Sequence, residues 1–172
     1  MGETYKTGGA APLSGVVYAL TTAVTNASYT TTEGIPLTGY TFKKNQLKPG
    51  DIIEFYASGQ ATSTSTPALT FNVYLGTSAI LTATETAVAV SSTPWVLRGA
   101  ITIQSATTCL GYFEVHTAES TATQLIDLMT CDVSADTITA TTTDLNFRLE
   151  ATWDASSASN GITWSQFVVK VL

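Results

Sequence analysis

The sequence predicts an all-β fold: an antiparallel two-sheet sandwich of jelly-roll type, with about eight or nine strands and no substantial helix. Three observations carry that prediction. Threonine fills roughly one position in five, and this β-branched residue suits a pleated strand while keeping a hydroxyl for water or a neighbour. Apolar and polar residues alternate with a period of two in successive stretches, separated by turn residues at about 8–12-residue spacing. No stretch combines helical periodicity with capping residues.

Taken in order, residues 1–15 are rich in Gly, Ala and Pro and have no periodicity, the composition of an extended arm. The expectation is that this arm docks on a neighbouring subunit, with Tyr5, Lys6, Pro12 and Leu13 as candidate assembly residues. Residues 16–172 form a single β-sandwich domain. Val16–Val24 is a first strand, followed by a Thr-rich segment through Thr38. In the cassette Leu47-Lys48-Pro49-Gly50-Asp51, Pro sets φ at the first turn corner and Gly takes the positive φ of a type II turn. The strand Ile52–Ala61 follows, with Ile53, Phe55 and Ala57 on one face. Leu69, Phe71, Val73 and Leu75 then alternate with Thr70, Asn72 and Tyr74. A short strand is expected at Ile80–Thr84. Behind Pro94, a long strand puts Trp95, Leu97, Gly99, Ile101 and Ile103 on one face and Arg98, Thr102 and Gln104 on the other. Further strands are expected at Cys109–Thr117, Thr123–Asp132 and Asp136–Thr143.

Leu145 to Leu172 reads as a long β-hairpin ending the chain, which leaves no room for a tail or anchor beyond it. Leu145, Phe147, Leu149, Ala151 and Trp153 are its inward residues, and Asn160-Gly161 its tip. Burying those five side chains stabilises by about 10 kcal/mol. Ordering some twenty residues costs about 1–2 kcal/mol each, so a second sheet must pack on the hairpin. In the last strand Phe167, Val169 and Val171 take one face, while Ile162, Trp164 and Val168 take the other. Either a bulge re-phases the strand, or both faces are covered. The second option makes Trp164 a candidate interface aromatic.

Composition narrows the function classes. The net charge of −6 and pI near 4.5 oppose nucleic-acid binding, which needs a basic footprint. No apolar run is long enough to span a membrane, and no secretory h-region follows Met1. The Met-Gly start lacks the Ser or Thr of a myristoylation signal, having Lys6 in that place. Charged residues are only 12%, so a surface coated with hydroxyls rather than charges is expected to be covered in an assembly. Cys109 and Cys131 fall in expected strands and read as buried thiols, with a bridge between neighbouring strands as the alternative.

Several stretches resemble a family of tailed-bacteriophage virion proteins: Leu47-Lys48-Pro49-Gly50-Asp51-Ile52-Ile53, Thr93-Pro94-Trp95-Val96-Leu97-Arg98, Ser157-Ala158-Ser159-Asn160-Gly161-Ile162-Thr163 and Phe167-Val168-Val169-Lys170-Val171-Leu172. The resemblance covers roughly residues 40–172. Such β-sandwich or jelly-roll domains serve as capsid decoration (cement) proteins, head fibres and tail-fibre modules, commonly as trimers. It implies a homotrimer, made in the host cytoplasm, that decorates and stabilises the capsid exterior. The major capsid protein or other virion proteins would be its partners, with no nucleic acid and no membrane. The alternative is a head- or tail-fibre module binding host-surface glycans. The motifs are turn and strand signatures, so they transfer no catalytic residue.

No enzyme, cofactor or metal is expected. His116 is the only histidine, and Glu114 shares its strand face, but no nucleophile elbow accompanies them. Glu54, Glu85, Glu119, Asp127, Asp132 and Asp136 are scattered, although a paired-carboxylate site depends on spatial separation. Asp132 and Asp136 flank a loop without the ligand rhythm of a calcium site. Asn26-Ala27-Ser28 matches a glycosylation sequon, irrelevant in a bacterially made chain. Tyr40, Tyr56, Tyr74 and Tyr112, with the three tryptophans, are candidate sugar-stacking platforms. Alternation points Trp95 and Trp153 into the core.

Overall fold

A computed structural model describes residues 14–26, 35–64, 67–85, 91–117, 127–131, 136–140 and 142–172. The proposed arm residues Tyr5, Lys6, Pro12 and Leu13 lie outside these, as do Asp132, part of the sequon and the start of the strand expected from Thr123. The described residues contain twelve strands and no helix: β1 (Gly15–Ala19), β2 (Val24–Asn26), β3 (Ile35–Phe42), β4 (Ile52–Thr62), β5 (Leu69–Leu75), β6 (Ser78–Glu85), β7 (Thr93–Ile103), β8 (Thr108–Thr117), β9 (Asp127–Cys131), β10 (Asp136–Thr137), β11 (Leu145–Trp153) and β12 (Gly161–Val171).

Two antiparallel sheets pack face to face as a sandwich. The wide sheet runs β1-β12-β4-β7-β8-β10, with β2 also beside β12 and β9 beside β8. The narrow sheet runs β3-β11-β5-β6. β1 pairs with Val168–Val171 and β2 with Ile162–Trp164, so these two short strands act as one interrupted edge strand. The chain crosses repeatedly between sheets, and its first strand pairs with its last. That winding is a jelly roll, widened on one side by β8, β9 and β10.

Strand alternation is obeyed closely. β11 alternates buried and half-buried residues throughout, from buried Leu145 to buried Trp153, and β5 does the same from Leu69 to Leu75. The inward residues of β4 and β7 are those the sequence selects. Trp95 and Trp153 are core residues, 1% and 0% exposed. Aromatic rings link the layers: Phe55 on Phe147 at 5.2 Å, Phe147 on Phe167 at 6.0 Å and Phe71 on Trp95 at 5.4 Å. These tilted and offset contacts are the arrangements that the ring quadrupoles favour. The turn cassette also forms as expected, with Gly50 at φ 96° and Asp51 N–H donating to the Lys48 carbonyl at 3.0 Å.

Five expectations are corrected. The terminal segment is not a hairpin: β11 pairs with β3 and β5, whereas β12 pairs with β1, β2 and β4. The two strands face each other across the core, and residues 155–160 form an arch between sheets. The Asn160 side chain closes it, donating to the Ala155 carbonyl at 2.9 Å while fully buried. Trp164 is also reassigned. The β12–β4 register slips between Trp164 and Gln166, the bulge that re-phases the strand, so Trp164 joins Phe167, Val169 and Val171 on the inner face. It is 0% exposed and stands edge-on to Trp95 at 4.9 Å, which makes it core rather than interface. β3 is a strand that the sequence pattern hid, because Pro36 and Gly39 interrupt its alternation. Pro is tolerated there because β3 is an edge strand. The strand expected over Asp136–Thr143 is only β10, and the following turn uses Thr139 carbonyl contacts from Thr142 and Thr143. Cys109 is buried as expected, but Cys131 is exposed, and the two are not bridged.

Candidate functional site

On the outer face of the wide sheet, pairing sets side chains from four strands in rows. Lys170 lies beside Glu54, Glu54 beside Ala100, and Ala100 beside Tyr112. The next row is Val168, Tyr56, Arg98 and Glu114, and the next Gln166, Ser58, Val96 and His116. Because successive side chains point to opposite faces, all of these share one surface. Ala100 is the smallest side chain in the first two rows. Around it opens a depression of about 310 Å³ bordered by Glu54, Tyr56, Arg98, Tyr112 and Lys170.

Charge is paired inside this surface. Lys170 Nζ donates to Glu54 Oε2 at 3.2 Å. Arg98 Nε donates to Glu114 Oε1, and His116 Nε2 lies 3.1 Å from Glu114 Oε2. The His116 hydrogen bond, then Arg98, holds the Glu114 carboxyl below the usual carboxylate range. The sequence placed Glu114 and His116 on one strand face, and they do meet; Arg98 completes a triplet that one strand's pattern does not reveal.

The four tyrosines separate by environment. Tyr56 and Tyr112 are 36% and 48% exposed on the wide sheet. Tyr40 is half-buried with its ring on Phe42 at 5.0 Å. Tyr74, on the narrow sheet, is covered by the Arg148 guanidinium 3.7 Å from its ring centroid. Only the first pair is placed to stack on a ligand. The large exposed hydrophobics among the described residues are Val16, Val24, Tyr56, Val96, Tyr112 and Leu172. Five lie in strands of the wide sheet and the sixth directly follows β12.

A second depression, of about 200 Å³, lies on the same face beyond Ser58 and is bordered by Thr25, Gln60, Thr62, Ser92 and Thr163. It holds no charged side chain. Thr163 and Thr25 hydroxyls are 3.2 Å apart, and Ser92 N–H donates to Thr62 Oγ1 at 3.1 Å. Among the described residues no group of three His, Cys, Asp or Glu side chains is arranged to hold a metal ion.

No protein-family model matches the chain, and neither does any curated protein sequence. Among solved structures it is similar to the CBM2 module of the evolved Dit of Lactobacillus casei BL23 phage J-1, at 11% identity and a TM-score of 0.37, over 91% of this chain and 95% of that one. A likeness at that TM-score carries no argument about function.

Proposed function

We propose that this chain is a surface module of a tailed-phage virion that binds saccharide, without cleaving it, through the outer face of its wide sheet. The observation that carries the binding is the depression around Ala100, with two exposed tyrosine rings at its border and paired charges beside them. Tyrosine offers an apolar ring for the C–H face of a sugar and a hydroxyl for its edge. The ion-paired carboxylates and cations keep acceptors and donors at hand for hydroxyls. The virion assignment rests on the resemblance of residues 40–172 to tailed-phage virion proteins.

The test is binding of the purified chain to cell-envelope polysaccharide of candidate bacterial hosts, compared with the double variant Tyr56→Ala, Tyr112→Ala. Retention by the parent and loss of about tenfold or more in affinity for the folded variant supports the reading. Equal binding by both removes this face as the site.

A second reading, capsid decoration as a homotrimer on the major capsid protein, is favoured by Val16 and Val24. They are 63% and 38% exposed along the β1–β2 edge, where a neighbouring subunit would cover them. Hundreds of copies per particle would select decoration; a handful would select a fibre module.

A further inference from the structure

We infer that the ligand is an extended, uncharged oligosaccharide lying along β4 and spanning both depressions of the wide sheet. This inference rests on the saccharide-binding reading and adds the chemical class and direction of the ligand. Its first support is alignment. Glu54 and Tyr56 border the first depression, Gln60 and Thr62 the second, and Ser58 lies between them. All five are alternate residues of one strand, so they form a straight outward line. From Glu54 to Thr62 that line runs about 27 Å at the ordinary rise of an antiparallel strand. A single sugar ring covers only part of such a track.

The second support is charge. In the first depression every charged side chain at the border has a partner: Glu54 and Lys170 pair with each other, and Arg98 pairs with Glu114, which stands beside it on β8. The second depression is lined by hydroxyl and amide groups. An anionic polymer would have to displace Glu54 and Glu114 from their partners, and a cationic one Lys170 and Arg98. A neutral polyol does neither, because hydroxyls add to both sides of an ion pair. The third support is polarity along the track. The aromatic end offers ring faces, whereas the far end offers Thr25, Thr62 and Thr163 hydroxyls and the Gln60 amide. A ligand is thus gripped by stacking at one end and by hydrogen bonds at the other.

The experiment is calorimetric titration of the full chain with neutral oligosaccharide ladders, disaccharide to hexasaccharide, of the cello-, malto- and N-acetylglucosamine series. Oligogalacturonate serves as the anionic control. The expected result is affinity that rises with ligand length beyond the disaccharide in one neutral series. Gln60→Ala should then weaken the hexasaccharide about fivefold while leaving the disaccharide unchanged. Thr163→Val is a second probe of the same end should the first variant fold poorly. Tyr112→Ala should weaken every length.

Length-independent affinity, insensitivity of the hexasaccharide to both far-end variants, or preference for oligogalacturonate would overturn the extended neutral ligand while leaving a saccharide site at the tyrosines. Binding of no ladder and no control would overturn the saccharide reading as well. Sedimentation of the same samples reports whether a second copy of the chain covers this face, a result that would also overturn the inference.

Discussion

The two outer faces of the sandwich are built from the same residue types and both pair their polar groups across strands, but they differ in what else they expose. On the narrow sheet the side chains satisfy one another. Thr70 and Thr84 hydroxyls are 2.8 Å apart, Thr82 donates to Asn72 at 2.8 Å, and Tyr74 donates to Glu150 at 3.3 Å beneath the Arg148 guanidinium. These are cross-strand pairs of the sort that stabilise a sheet. On the wide sheet large apolar groups stay in water, and Ala100 leaves a hollow between a tyrosine and an ion pair. One face is closed over by its own pairs; the other carries the hollow and the exposed rings on which the proposed binding rests. Thr-rich composition alone predicts two equivalent faces, so the asymmetry comes from which side chains the topology places side by side.

The change expected to break the comparison most strongly is Gly59→Ala. Gly59 faces inward between Trp95 and Trp164, next to the bulge in β12. A Cβ there would collide with the Thr163 carbonyl and crowd the Trp95 ring at 2.8 Å. Backbone cannot yield as a flexible side chain does, so a loss of about 3 kcal/mol is expected by chemical denaturation. The proposed binding face should be lost with it, because the bulge sets which β12 residues lie outward. On the narrow sheet, Thr70→Val should change stability by no more than about 0.5 kcal/mol. Equal midpoints for the two variants would remove the special role of the bulge.

A smaller effect separates the two arginines. Arg148→Met removes a guanidinium stacked on Tyr74 and its hydrogen bond to the Gly76 carbonyl at 3.3 Å. A loss of about 0.5–1 kcal/mol is expected. Arg98 is 65% exposed, so Arg98→Met should leave thermal stability nearly unchanged and weaken saccharide binding instead. The reverse pattern, with Arg98→Met destabilising and Arg148→Met affecting the ligand, would exchange the roles assigned to the two faces.

Much of this fold was legible because period-two alternation reports directly on burial. It marked the inner residues of β4, β5, β7 and β11, and the type II turn at Pro49-Gly50 announced itself by residue type. Sheet membership was not legible: β11 and β12 are neighbours in sequence yet belong to opposite sheets, and alternation carries no information on which strand lies alongside. The bulge at Ser165 was visible only as a phase conflict, with two solutions, and β3 hid behind Pro36 and Gly39. The candidate site suffered in the same way. Tyr56 and Tyr112 were on the list of platforms, but so were Tyr40 and Tyr74, which pack on Phe42 and under Arg148. Lys170, Glu54, Ala100 and Tyr112 become a row only through three strand pairings that join distant parts of the chain.

The finest test of the two faces is acid. Glu114 on the wide sheet and Asp144 at the entry to β11 both have carboxyls held below their usual range. His116 and then Arg98 lower the first; Lys43, aided by the Lys44 N–H, lowers the second. A carboxylate whose folded value is depressed contributes stability that is fully present above its unfolded value and is lost as pH falls through the folded one. Both contributions should therefore vanish only in acid, below the ordinary carboxylate range. Carboxyl resonances should titrate with midpoints below those of unfolded Glu and Asp, and Arg98→Met should raise the Glu114 midpoint without moving that of Asp144. The two carboxylates part in their consequence. Protonating Glu114 releases Arg98 and His116 beside the Ala100 hollow, so saccharide affinity should fall over the same interval. Asp144→Asn should leave affinity unchanged, since Asp144 holds only the turn before β11 through Lys43 and Lys44. Affinity that stays constant while Glu114 protonates would detach the ion pair from the binding face and leave the tyrosines as its only support.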